Sequence, residues 1–320
     1  SGYMDQVHKI FAEPAPHLNF SYPPDILLLI WVLGFLPYFP AFALWTGAGM
    51  AGLARALWKH MGAARVEGVL LAIFSPACLI NFWSGQNGSF TAALFLGGLY
   101  LCEQSPVAAG VLFGLLTIKP HLGILIVPVL LMRRNWRCIV SASATTGLLV
   151  VSSIALWGLE PWRGYVSETL PYQEHLLQLA EGFYPKMMPG VWADCLIVMK
   201  MPHAAAAAVA MLCAALAATV SLFAVWREGI TPRTVLALAL ATIVILPYSF
   251  NYDMGAIAAA TALYVSREKD VPVVTPLFLG IAWVIPLAII EFRALPYVPL
   301  CSIALIGALL LVTGGELRAL

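Results

Sequence analysis

Long apolar runs separated by short polar breaks repeat along almost the whole chain. Read at helical length, they place crossings at roughly 38–58, 66–82, 88–102, 106–118, 120–132, 138–157, 204–226, 234–247, 254–266, 272–290 and 297–313, about eleven in all. Each is assigned as a helix, because hydrocarbon offers no partner to the backbone groups of open strand or coil. The predicted fold class is all-α, a polytopic membrane helix bundle forming one integral membrane domain over residues 1–320. Two stretches are not counted as crossings. After Pro23-Pro24, "YPPDILLLIWVLGF" (22–35) is too short to span and predicts an interfacial or re-entrant helix within an external segment, 1–37. Residues 158–203 form a long external loop whose Trp162, Tyr165, Tyr172, Tyr184 and Trp192 suit the headgroup level. Its tail, "GVWADCLIVMK", predicts a short helix lying on that surface.

Composition agrees with this pattern. The chain is 61% hydrophobic and 10% charged, where a soluble domain carries about 25% charged residues. The net charge of +1 says nothing about nucleic acid, and no basic run supports that partner, so none is expected. Basic residues fall into alternating sets. Arg55, Lys59, Arg65, Arg133, Arg134, Arg137, Arg227, Arg233, Arg267, Lys269 and Arg318 mark one side, assigned as cytoplasmic. Lys9, Lys119, Arg163, Lys186, Lys200 and Arg293 mark the other. The chain then begins outside without a secretory pattern in "SGYMDQVHKIFAEPAPH", so a further helix is expected upstream. The six cysteines lack CxxC spacing and read as small buried hydrophobes.

Three predicted crossings are short. Segments 120–132 and 254–266 each cover about 20 Å as helices, and 88–102 about 22 Å, against a hydrocarbon layer of about 30 Å. Their cytoplasmic ends lie at Arg133-Arg134, Arg267 and Glu103-Gln104. Their outer ends, "SGQNGS" (84–89), "IKPHLG" (118–123) and "SFNYDM" (249–254), would then be recessed from one side. Irregular polar backbone at that depth must be buried in protein or line a wet cavity. The expectation is one outward-facing cavity lined by Gln86, Asn87, Lys119, His121, Tyr252 and Asp253. Plainer readings compete. Asn87-Gly88 is an ordinary turn signal. Lys119 can snorkel to headgroups, and His121 can serve as a cap. Asp253 can form a structural ion pair with Lys119 or Arg293. Tyr22, with Trp83 and Trp157, can be an interface anchor rather than a substrate contact.

The stretches "FSYPPDILLLIWVLGFLPYFPAFALW" (20–45), "SPACLINFWSGQNGSFTAALFLGGL" (75–99), "AGVLFGLLTIKPHLGILIVPVLLMRRNW" (109–136) and "LPYSFNYDMGAI" (246–257), in this order and spacing, resemble glycosyltransferase family 87. The resemblance implies a GT-C-like bundle and a polyprenyl-phosphate sugar donor, often of mannose. It implies transfer to a lipid or glycan acceptor at the outer face, here of a bacterial plasma membrane in the cell envelope. It also implies a first helix and a catalytic Asp upstream of Ser1. Relatives with a related motif carry a His near Asp253, where this chain reads Asn251-Tyr252-Asp253.

On this reading Asp253 is the best catalytic carboxylate in view. Lys119 would stabilise the leaving phosphate, with His121 as a second donor. Tyr22, Gln86, Asn87 and Tyr252 would meet the substrate through hydroxyl and amide groups. Segment 1–24 and loop 158–203 would roof the acceptor. No cofactor or metal is called for: no HExxH, no DxD and no phosphate-cradling glycine loop occurs. Two other classes stand beside the enzyme. A secondary transporter or flippase also uses helices broken at depth, and a scaffold of an envelope complex would keep the pocket without its chemistry.

Overall fold

The computed structural model describes residues 20–179, 182–268 and 274–317. Lys9, Lys269 and Arg318, and most of the proposed roof segment 1–24, lie outside these residues. The described residues are helical throughout, with no strand. The principal helices are α1 (Tyr38–Trp58), α2 (Arg65–Ile73), α3 (Pro76–Ser84), α4 (Gly88–Leu101), α5 (Pro106–Leu115), α6 (Ile126–Met132) and α7 (Trp136–Trp157). They continue with α8 (Leu170–Gln178), α9 (His203–Glu228), α10 (Pro232–Ile245), α11 (Gly255–Arg267), α12 (Val274–Arg293) and α13 (Leu300–Leu317).

The bundle is built inside out relative to a soluble protein. Helix α7 exposes Val140, Leu148, Val151 and Leu156, and α9 exposes Met211, Leu212 and Leu216. Such continuous apolar faces need lipid to cover them. The centre is formed by shorter helices. On α10 every residue from Thr234 to Val244 is buried, and α11 buries Ile257 through Tyr264. Helix α10 packs against α9, α13 and α11, and α11 packs against α4 and α2. A helix covered on all sides has no polar stripe, so its sequence is apolar all round. The molecule is an integral membrane protein by these faces.

The count of crossings differs from the sequence expectation. Among the described residues three helices, α7, α9 and α12, are long and apolar enough to span, and the bent pair Gly62–Ile73 and Pro76–Ser84 makes a fourth if taken as one broken span. Length and hydropathy do not carry eleven. The reason is local. Segment 66–82 breaks by 51° between Ile73 and Pro76, where Pro76 has no N–H to give and holds Ser75 extended. Ser75 Oγ then accepts from the Cys78 amide at 3.3 Å and starts α3 afresh. Segment 120–132 is a tight turn over Pro120–Gly123 followed by the seven-residue α6.

The segment 22–35 folds as three short turns, Pro24–Ile26, Leu27–Ile30 and Trp31–Phe35. The tail of the external loop does not lie on a surface as expected. Val191–Ala193 and the wider turn Asp194–Val198 are buried almost throughout, because Asp194 is drawn into the bundle by Arg293, 3.1 Å away. All six cysteines are free, five of them buried.

Candidate functional site

The polar turns at one end of the bundle converge. Lys119 precedes Pro120 and is held out of helical geometry (φ −137°, ψ 74°), which separates two tight turns and aims its side chain inward. Its Nζ lies 2.5 Å from Asp253 Oδ1, with side-chain exposures of 6% and 1%. Asp253 sits in the turn Asn251–Met254 that leads into α11. Its second oxygen accepts the Phe250 amide at 3.1 Å. The Lys119 ammonium also faces two rings, Tyr252 at 4.6 Å and Tyr22 at 5.6 Å from the centroids. Cation–π attraction of this kind strengthens when water is excluded. The Tyr22 hydroxyl donates to Gln86 Oε1 at 3.0 Å. His121 stands edge-on to Tyr248, their centroids 6.1 Å apart.

Gln86, Tyr22, Lys119, Tyr252 and Asp253 are thus linked contact by contact, with His121 beside them. The expected open cavity is not what the structure shows. Lys119 is 5% and Asp253 4% exposed, because Tyr22 and Tyr252 close over the ion pair. Both oxygens of Asp253 are occupied, one by the Lys119 ammonium and the other by the Phe250 amide. The Tyr22 hydroxyl and ring both point at site residues.

Asn87 is buried at 2% exposure, and neither its Oδ1 nor its Nδ2 has a hydrogen-bond partner among the described residues. A buried carboxamide without partners is rare. With Tyr22 and Gln86 it lines a groove of about 350 Å³ whose other walls are apolar, among them Ile26, Leu33 and Phe42. Beneath Asp253 the interior is nearly filled. A space of about 20 Å³ lies there among Thr91, Phe95, Leu122, Thr242 and Ile257, enough for about one water. Among the described residues no His, Cys, Asp and Glu side chains group in a way that would hold a metal ion.

Sequence reasoning missed three residues that fix this geometry. Asn81, inside α3, accepts the Gly88 amide at 2.7 Å and donates to the Tyr252 carbonyl at 2.7 Å, clamping two of the turns together. Its signal was an amide within the apolar run "CLINFW". Gly88 is required by the same approach, because a Cβ there would collide with the Tyr252 carbonyl oxygen. Asp194 accepts from Ser302 N and Oγ at 2.8 and 2.7 Å besides pairing with Arg293. Arg293 also donates to the Met188 carbonyl, and the neighbouring Met187 carbonyl accepts the Asn251 amide at 2.9 Å. Asn251 Nδ2 donates to Pro286 O on α12 at 2.8 Å. A buried ion pair therefore holds the turn that carries Asp253. Arg293 pairs with Asp194, leaving Asp253 to Lys119.

The family model for glycosyltransferase family 87 matches residues 20–249, well over half of the chain. The chain belongs to glycosyltransferase family 87. The matched span includes Tyr22, Gln86, Asn87, Lys119 and His121 and stops just short of Tyr252 and Asp253. Neither the comparison with curated proteins nor that with solved structures finds a match. For this family 87 chain, membership indicates a membrane glycosyltransferase, with a sugar donor and an acceptor as its substrates.

Proposed function

We propose that the protein is a hexosyltransferase, mannosyltransferase-like, that moves a sugar from a polyprenyl-phosphate donor to a lipid or glycan acceptor. The site would face the exterior of a bacterial plasma membrane, in a GT-C-like bundle. The observation that carries this reading is the buried Lys119 beside an apolar groove that ends in unpartnered polar groups. A polyprenyl-phosphate sugar has the matching parts: a long apolar tail, one phosphate and a ring of hydroxyls. The groove along Ile26, Leu33 and Phe42 suits the tail. The Asn87 carboxamide, with Gln86, suits sugar hydroxyls, since an amide both donates and accepts.

In the transfer, the bond from the anomeric carbon to the phosphate oxygen breaks and the acceptor oxygen bonds to that carbon. The phosphate leaves with the electron pair, and Lys119 stabilises it in a site of low dielectric. We assign Asp253 the holding of Lys119. Asp253 can take the acceptor's proton only once the phosphate has drawn Lys119 away. His121 lies near enough to Tyr248 to serve as a further donor to the phosphate. The loop that contains α8 reaches the site segment through Gln173, whose Nε2 donates to the Ser21 carbonyl at 3.0 Å, consistent with a roof over the acceptor.

Transport fits less well. Alternating access needs a path from both sides of a central site, and the packing beneath Asp253 leaves room for about one water. The test is incubation of the purified full-length protein with labelled polyprenyl-phosphate mannose, glucose and arabinose in turn. Transfer from one of them, lost in Lys119→Met with the protein still folded, is the expected result. Full turnover in Lys119→Met, or labelled substrate crossing sealed vesicles unchanged, would overturn the reading.

A further inference from the structure

A cleft of about 450 Å³ runs between α1, α4 and α5, from Ala48 and Phe90 to a mouth at the opposite end of α4 from the Gly88 turn. It exists because the facing positions are small. Gly52 and Ala56 on α1 oppose Ala93 and Gly97 on α4, with Leu94 and Leu112 completing the walls. Its mouth carries Arg55 and Lys59, one helical turn apart on α1. Both are exposed, and neither has an ion-pair partner among the described residues. Glu103, a carboxylate of that end, is engaged by Arg133 at 2.5 Å. It lines a separate cavity that shares only His60 with this one, His60 being stacked on Tyr100 at 4.2 Å. His60 reports the local field: burial, then Arg267 and Lys59, push its imidazole below the ordinary value.

We propose that this cleft binds an anionic phospholipid, with one acyl chain in the furrow and the phosphate on Arg55 and Lys59. The dimensions agree. From Ala48, the far lining residue, to Lys59 is eleven residues along α1, about 16 Å at helical rise, which is half of a hydrocarbon layer of about 30 Å and so the depth of one leaflet. The charges agree as well, since two unneutralised cations at the end of an apolar furrow select an anionic headgroup over a zwitterionic one. The cleft is distinct from the proposed donor site. Helix α4 runs from the Gly88 turn beside Tyr252 to Leu101 beside this mouth, a rise of about 20 Å. A donor phosphate on Lys119 cannot also reach Arg55.

The test uses the full-length protein in nanodiscs of phosphatidylcholine doped with labelled phosphatidylglycerol, with bound label read by energy transfer from tryptophan. Phosphatidylglycerol binding is expected to fall about tenfold in Arg55→Gln/Lys59→Gln. It is expected to fall likewise in Ala56→Leu, which fills the furrow and leaves the charge unchanged. Arg134→Gln/Arg137→Gln, exposed cations of the same end outside the cleft, is expected to leave it within twofold. Ala48→Leu, exposed at the far end of the furrow, replaces Ala56→Leu if the latter fails to fold. Equal loss in the Arg134/Arg137 pair would reduce the effect to a basic surface and overturn the proposal. So would full binding in the furrow-filling variant, or displacement of phosphatidylglycerol by polyprenyl phosphate or by inorganic phosphate.

Discussion

Breaking the Lys119–Asp253 pair by removing one partner should be far more damaging than removing both. The two side chains are 6% and 1% exposed and 2.5 Å apart, so neither charge is solvated by water. Asp253→Asn leaves an ammonium buried against two tyrosine rings without its counter-charge. Lys119→Met leaves a carboxylate whose only other donor is the Phe250 amide. Each single change is expected to destabilise by about 3–5 kcal/mol. The double variant Lys119→Met/Asp253→Leu removes both charges and keeps side-chain volume, so it should lose no more than about 1–2 kcal/mol. The coupling energy is then at least about 4 kcal/mol, well above the 0.3–0.5 kcal/mol scatter of independent sites. Equilibrium unfolding of the four proteins in mixed micelles measures it. Additive singles of about 0.5 kcal/mol each would mean that water reaches the pair, and the closed site described above would be wrong. Activity separates the roles further: the double variant should fold and fail to transfer.

Three further outcomes follow from the geometry. Gly88→Ala places a methyl group against the Tyr252 carbonyl and should forfeit transfer and lower stability by about 3 kcal/mol, read by turnover and unfolding together; a neutral result would mean that the turns at 85–88 and 251–253 are not in contact. Arg293→Met should act at a distance, by freeing Met188 and with it the turn that bears Asp253. A fall in kcat without a change in the bound lipid's affinity is expected, and Arg293→Lys should restore part of it. Asp25 is buried, its carboxyl pushed up to about 6 by burial and lowered in part by its own backbone and by Thr117. A carboxyl raised in the folded state contributes most below its unfolded value near 4, and that contribution is lost as pH rises through about 6. Asp25→Asn should therefore match the parent at pH 4 and exceed it above pH 6 by up to about 3 kcal/mol, as melting curves across that range would show.

Much of the site was legible because polarity inside an apolar chain is expensive and so conspicuous. Lys119, Gln86 and Asp253 stand at the ends of stretches too short to span, and the structure brings those ends together. Asp194 was invisible for the opposite reason, and Arg293 was weighed only as a partner for Asp253. Each lies near an ordinary boundary, Asp194 in a long loop and Arg293 at a helix end, where charge needs no explanation until the fold joins them across ninety-nine positions. The membrane count failed because a hydropathy window records composition but not direction. It reads through the bend at Ser75-Pro76 and the turn at Pro120–Gly123 as though the chain ran straight. For Asp253 the sequence shows a carboxylate that can pair with Lys119, and the structure adds that both of its oxygens are taken.

The shortness of α11 has a consequence for how a long-chain lipid is handled. With thirteen residues it rises about 20 Å, some 10 Å less than the hydrocarbon thickness. Lifting a five-carbon isoprene unit from hydrocarbon into water costs about 4 kcal/mol at roughly 0.8 kcal/mol per carbon. An enzyme that worked at the waterline would have to extract part of the tail on every turnover. With the proposed polyprenyl-phosphate donor, chemistry sunk below that line would let the isoprenoid stay dissolved where it diffuses, so that only the sugar and its acceptor travel.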